Sequence, residues 1–257
     1  PGCVMPTAGK EFDMSTKEVF QAVGIDLVEV EDWSCCGASV AYSQDNLLAL
    51  ALPARNLAIA EKEGLEMTTP CPVCSYWLWN TQEEALQNGS IKEKINQALD
   101  GTGLKYRGDI GAKHVLEVIF GDIGVKKIKE KVVKPLTGLK VVPYYGCYIV
   151  RPSRKERFDS PENPTAMDDL IEAVGATTVP WDMKTKCCGG SVMVSQEDIM
   201  LKLTYDLLKK AKSLGADCII TPCQQCNLSL DAKQRDVEKA YNDKIDIPIL
   251  YFTQLLG

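Results

Sequence analysis

Hydrophobic positions along this chain alternate between two periods, and the alternation runs through twice. Leu139 to Tyr145 is apolar and β-branched and ends at Gly146, which predicts a buried strand. A helical pattern begins at Asn163-Pro164, runs to about Val174 and stops at Gly175. Ala176 to Val179 reads as a strand, Glu197 to Leu214 as a helix ended by Gly215, and Cys218 to Thr221 as a strand. The first half gives the same order. Ser15 to Val23 is a helix ended by Gly24, Ile25 to Val30 a strand, Asp45 to Glu63 a helix ended by Gly64, and Leu65 to Thr68 a strand.

The cysteines follow the same double rhythm. Cys3, Cys35-Cys36-Gly37 and Cys71-Pro72-Val73-Cys74 are matched by Cys147, Cys187-Cys188-Gly189 and Cys223-Gln224-Gln225-Cys226. In each copy 34 residues separate the adjacent pair from the Cys-x-x-Cys, whereas the first gap grows from 31 residues to 39. The neighbouring words recur too. Gly2-Cys3 matches Gly146-Cys147, Cys35-Cys36-Gly37-Ala38-Ser39 matches Cys187-Cys188-Gly189-Gly190-Ser191, and Thr69-Pro70-Cys71 matches Thr221-Pro222-Cys223. This is an internal duplication.

The predicted fold is therefore α/β: two tandem Rossmann-like halves, residues 1–138 and 139–257, each a parallel sheet with helices outside and each carrying one cysteine motif. The segment Leu104 to Gly138 joins them, with a helical stretch at Lys113 to Phe120 and a basic one at Lys126 to Lys134; Ile247 to Leu256 resembles the former. Every cysteine group is expected just after a strand, where sites in open α/β sheets collect. A strand precedes Gly146-Cys147 but none precedes Gly2-Cys3, so a short strand is expected upstream of the given residues.

Composition narrows the function. Of 257 residues, 45% are hydrophobic, enough for a packed core, and the net charge of −6 argues against non-specific nucleic-acid binding. No apolar run is long enough for a membrane span and no secretory signal opens the chain, so a cytoplasmic location is expected. Eleven cysteines cannot all pair, and in a reducing compartment clustered thiols bind metal or do redox chemistry. The single histidine, His114, argues against a histidine-based zinc site. A Cys-x-x-Cys at a helix start directs two sulfurs to one point, where the helix dipole lowers thiol pKa. Adjacent cysteines suit two irons of one cluster, and the following glycine lets the backbone turn closely. Five sulfurs per half exceed the four of a tetrahedral zinc site, which favours iron–sulfur. A zinc-stabilised scaffold without catalysis stays as the alternative.

At these residues the chain resembles the cysteine-rich CCG domain of the disulfide-cleaving B subunit of heterodisulfide reductase, over nearly its whole length. The Tyr144-Tyr145-Gly146-Cys147 lead, Arg151-Pro152 and Asp159-Ser160-Pro161-Glu162-Asn163-Pro164 resemble that family as well. The resemblance implies two non-cubane 4Fe–4S clusters, one on Cys3, Cys35, Cys36, Cys71 and Cys74 and the other on Cys147, Cys187, Cys188, Cys223 and Cys226. It also implies homolytic cleavage of the coenzyme M–coenzyme B disulfide between the clusters. Electrons would come from the C subunit of that complex, a ferredoxin-like 4Fe–4S protein, fed in turn by the flavin-containing A subunit. Related proteins of sulfur-oxidising, fumarate or succinate complexes are the alternative within the family.

Four other features carry plainer readings. Cys218 is expected in the core, and His114 as a packing or surface residue within a helical pattern. Arg151, Arg154, Lys155 and Arg157 suit a solvated loop or partner rim, with Arg151 the best candidate for an anionic substrate because it is nearest Cys147. Tyr76, Trp77 and Trp79 follow Cys74 on an expected helix and either shield the site or pack its core.

Overall fold

A computed structural model describes residues 3–5, 7–151 and 158–257. Gly2, Pro152, Arg154, Lys155 and Arg157, singled out above, lie outside the described residues. The first half runs α1 (Lys10–Ala22), α2 (Ala38–Gln44), α3 (Asn46–Glu63), β1 (Met67–Thr69), α4 (Pro72–Gln87), α5 (Gly89–Ala98) and β2 (Ala112–His114). A helical run then passes through α6 (Val115–Glu117) and a wider π-turn at Val118–Gly124 into α7 (Val125–Lys131). The second half runs β3 (Lys140–Pro143), α8 (Ala166–Ala173), β4 (Thr177–Thr178), α9 (Glu197–Ser213), β5 (Cys218–Thr221), α10 (Gln224–Asn227), a π-turn at Leu228–Ala232, α11 (Gln234–Tyr241), β6 (Ile249–Tyr251) and α12 (Phe252–Leu256).

Both sheets are parallel, as the alternation requires. β1 pairs with β2, Met67 opposite Ala112. The second sheet has the order β4-β3-β5-β6. The elements begin and end where local chemistry dictates. Asp45 caps α3 by accepting from the Leu48 N–H at 2.8 Å, and Gly64 ends that helix in the left-handed region.

The halves share a core. Phe12, Val19 and Phe20 of α1 are buried in one apolar mass with Val141, Tyr145, Met167, Leu170, Ile171 and Phe252. The Phe12 ring stacks on Tyr251 at 4.5 Å, and the Ser15 and Thr253 hydroxyls meet at 2.6 Å across 238 residues of sequence. Fully burying each large apolar side chain contributes about 1.5–3 kcal/mol, so this seam holds the halves together.

Three expectations are corrected. Ile25 to Val30 is extended but joins no sheet. Its counterpart, β4, pairs only with β3, the strand that leads to Cys147. Lys113 to Phe120 is not helical from its start, because Lys113 and His114 belong to β2. Its likeness to Ile247–Leu256 is nonetheless real, since both are a short strand running straight into a helix. Helix α1 starts at Lys10, five residues before Ser15, because Gly9 offers no side-chain cap to mark the start.

Candidate metal centres

Cys71, Cys147 and Cys223 each stand within a few residues of the carboxyl end of β1, β3 or β5. Cys71 is the residue before the first turn of α4, and Cys223 holds the same place on α10. Each Cys-x-x-Cys therefore sits on a helix start, where free N–H groups favour thiolate. The adjacent-cysteine turns come to meet them. Cys36 Sγ lies 3.2 Å from Cys74 Sγ, and Cys188 Sγ lies 3.6 Å from Cys226 Sγ.

The glycines of the two Cys-Cys-Gly turns explain that approach. Gly37 and Gly189 both have φ of 79°, a backbone state that side chains disfavour. A Cβ on Gly189 would stand 2.7 Å from the Met200 backbone, and one on Gly37 would stand 2.6 Å from Ala41 Cβ. The Gly37 and Gly189 N–H groups donate to Cys35 and Cys187 sulfur at 3.4 and 3.3 Å.

The remaining members close the sets. Cys3 is near Cys35, Cys36 and Cys71, and partial desolvation beside them together with their charges pushes its thiol up. Cys3, Cys35, Cys36 and Cys74 line one cavity of about 60 Å³ with Trp33 and Thr69 among its other walls. In the second half Cys147 and Cys187 hydrogen-bond each other. A Cβ on Gly146 would come within 2.9 Å of Cys226 Sγ, so the Cys147 turn lies against the Cys-x-x-Cys helix. All ten motif cysteines are thus gathered into two sets of five.

Hydrogen bonds divide the protons within each set. Bonding from Cys74 pulls Cys36 down to about 7, and bonding from Cys226 pulls Cys188 down to about 7. Bonding from Cys147 pulls Cys187 down to about 6. Cys74, Cys147 and Cys226 are pushed up, chiefly because they donate those bonds. Each set thus mixes sulfurs that ionise easily with ones that ionise last.

Different elements fix the two sets. Asn56 of α3 holds Ser34, just before Cys35, accepting from its N–H at 2.9 Å and donating to its carbonyl at 2.8 Å. On the second side Tyr144 Oη donates to the Lys186 carbonyl at 2.7 Å, while the Tyr145 and Gly146 N–H groups donate to the Lys184 carbonyl. Lys184 is itself buried, its ammonium 2.8 Å from both the Pro164 carbonyl and Asp168 Oδ1. Tyr145 Oη donates to Asp168 Oδ2 at 2.7 Å and accepts from the Met167 N–H. The turns bearing Cys147 and Cys187 are locked together by these contacts.

Among the described residues no group of three or more His, Cys, Asp or Glu side chains is arranged to hold a single metal ion. The sulfurs contact one another instead, Cys74 bonding Cys36 and Cys71 and Cys226 bonding Cys188 and Cys223. Fit to a multi-iron group rests on the donor set: five soft thiols per site, without histidine. It rests also on Thr221 Oγ1, buried two residues before Cys223 with no hydrogen-bond partner among the described residues, a donor that inorganic sulfide would satisfy.

The other singled-out residues fall elsewhere. Cys218 is buried in β5, where burial raises its thiol to about 11. His114 ends β2 rather than lying within a helix; it is fully buried and its Nδ1 accepts from the Leu116 N–H at 3.0 Å. Arg151 is turned to Glu162, 3.1 Å from both carboxylate oxygens, and to the Thr185 carbonyl. Trp77 packs with Ala41 and Ala49, whereas Tyr76 meets Tyr148, next to Cys147, at 5.9 Å between rings. Sequence reasoning passed over Gln224. It is 2% exposed, and its Nε2 donates to the Pro70 carbonyl at 3.0 Å. The available signal was an amide pair between Cys223 and Cys226 where the first copy has Pro72-Val73.

Among the described residues no helix is long and apolar enough to cross a membrane. The cysteine-rich CCG domain family matches residues 1–79 and 141–231. The 8-methylmenaquinol:fumarate reductase membrane anchor subunit of Wolinella succinogenes is 37% identical over all of this chain and 89% of its own length. The B subunit of the ferredoxin/F(420)H(2)-dependent CoB-CoM heterodisulfide reductase of Methanosarcina acetivorans is 32% identical over all of this chain and 86% of its own. An Archaeoglobus profundus protein named as like the heterodisulfide reductase B subunit is 30% identical over all of this chain and 87% of its own. The crystal structure of a hypothetical protein from Helicobacter pylori shares the fold, with a TM-score of 0.74 over 96% of this chain and 45% of that one, at 16% identity.

Proposed function

The chain belongs to the cysteine-rich CCG domain family, and from that membership we propose that it is an iron–sulfur subunit of a multi-subunit oxidoreductase. One non-cubane 4Fe–4S cluster is assigned to each half, residues 1–138 and 139–257. The first takes Cys3, Cys35, Cys36, Cys71 and Cys74; the second takes Cys147, Cys187, Cys188, Cys223 and Cys226. The observation that carries this is the gathering of ten thiols into two sets of five, one in each half. When bound, such clusters supply one-electron redox chemistry. Eleven free thiols suit a reducing compartment, and we place the chain in the cytoplasm.

The reaction we assign first is reduction of a disulfide, the coenzyme M–coenzyme B heterodisulfide or a relative. Cleaving one disulfide takes two electrons and two protons and yields two thiols, so two one-electron sites match two sulfurs. The electrons would come from a ferredoxin-like 4Fe–4S partner, itself fed by a flavin-containing one. The chain's own part is to hold the two sites in fixed register. It also leaves Cys3, Cys35 and Cys187 exposed, so the approach is open.

A second reading is electron transfer within a quinol:fumarate reductase complex. The 37% identity to the Wolinella protein supports it. So does Arg151, whose guanidinium is engaged by Glu162 instead of standing open to an anionic substrate. The assembled complex decides between them. Turnover of the heterodisulfide with a reduced viologen supports the first reading, whereas turnover of fumarate with a menaquinol and none with disulfides supports the second. A colourless chain carrying zinc and no iron overturns both.

A further inference from the structure

A buried amide is costly unless its hydrogen bonds are made, yet Gln224 is buried in the seam between the halves. Its backbone follows Cys223 directly, at the first turn of α10. Its side chain crosses to the other half and donates to the Pro70 carbonyl at 3.0 Å. That carbonyl carbon is bonded to the nitrogen of Cys71. From Cys223 to Cys71 the path is one side chain, one hydrogen bond and one peptide unit. The same Nε2 lies 2.9 Å from Met5 Sδ, two residues beyond Cys3.

The surroundings are shaped for this crossing. A Cβ on Gly9 would stand 2.9 Å from Gln224 Cγ and 3.0 Å from Met5 Sδ. On the outer side of the seam Tyr76 and Tyr148 close ring to ring. The neighbouring amide does something different, since Gln225 turns back to the Gly190 carbonyl of its own half.

We propose that Gln224 is a positioning residue that fixes the two five-cysteine sites at one separation and couples them through its hydrogen bond to Pro70. This rests on the reading of both sites as iron–sulfur centres. Gln224 needs no chemistry of its own: an electron lost by one site is gained by the other, and the amide keeps both protons.

The test uses the whole chain, loaded anaerobically with iron and sulfide and reduced with dithionite. Wild type is expected to show electron paramagnetic resonance signals split by interaction between its two sites. Gln224→Met, similar in length but without a donor, is expected to keep its iron and lose that splitting, with a broadened spread of inter-site distances. Gln234→Met, which removes a buried amide bonded only within the second half, is expected to leave the splitting unchanged. Gln224→Leu, apolar and without a donor, repeats the test if the methionine variant fails to fold. Wild-type splitting in a folded, loaded Gln224 variant overturns the role of Gln224 while the cluster reading stands. A wild-type chain that takes up no iron brings down the cluster reading itself.

Discussion

The two halves carry the same five-thiol pattern on unequal scaffolds. In the second set, Cys188, Cys223 and Cys226 are buried; in the first only Cys36 is buried, and among the described residues the strands form one sheet of four and one of two. The second site is anchored by a buried ion pair of Lys184 and Asp168, with side chains 9% and 17% exposed. At the position of Lys184 the first copy has Asp32, 84% exposed and paired with Arg55. Identical motifs thus fix which atoms meet, while the strands beneath them fix how firmly.

The sharpest way to break that contrast is to remove the buried anchor. Lys184→Met leaves the half-buried Asp168 carboxyl without its cationic partner, and is expected to cost about 3 kcal/mol of stability by denaturant titration. Tyr145→Phe strips the hydroxyl that serves Asp168 and the Met167 N–H, and is expected to cost about 1–3 kcal/mol. On the first half, Asp45→Ala removes the α3 cap for about 1 kcal/mol. Arg55→Met breaks the pair with exposed Asp32 and a hydrogen bond to the Asp32 carbonyl, and its cost is expected to be no more than about 1 kcal/mol. Equal losses for Lys184→Met and Arg55→Met would erase the asymmetry. The contrast also has a kinetic face. A chelator is expected to draw iron from the loaded chain in two phases, the faster one lost with the spectrum of the Cys36 site.

Much of this was legible in the residues alone. The equal spacing of Cys36 to Cys71 and Cys188 to Cys223 announced the duplication, because thiols placed for one site recur in order. Asp45 and Gly64 marked the ends of α3, since a cap and a left-handed stop act locally. Strand pairing is not local. Ile25–Val30 has strand composition, but a strand exists only with a partner, and pattern alone does not supply one. His114 looked helical because β2 is too short to show its own period before α6 begins. The stacking of Phe12 on Tyr251 and the reach of Gln224 to Pro70 join residues far apart in sequence. Such contacts leave no period, only an oddity such as an amide pair inside a Cys-x-x-Cys.

The most direct measurement is iron and sulfide per chain, with the paramagnetic spectrum, for wild type, Cys36→Ala and Cys188→Ala. Two four-iron sites that assemble separately give about eight irons in wild type and about four in each variant, with the untouched half keeping a signal that is no longer split by its neighbour. A wild-type chain holding a single zinc, or either variant losing both signals together, would contradict one cluster in each half.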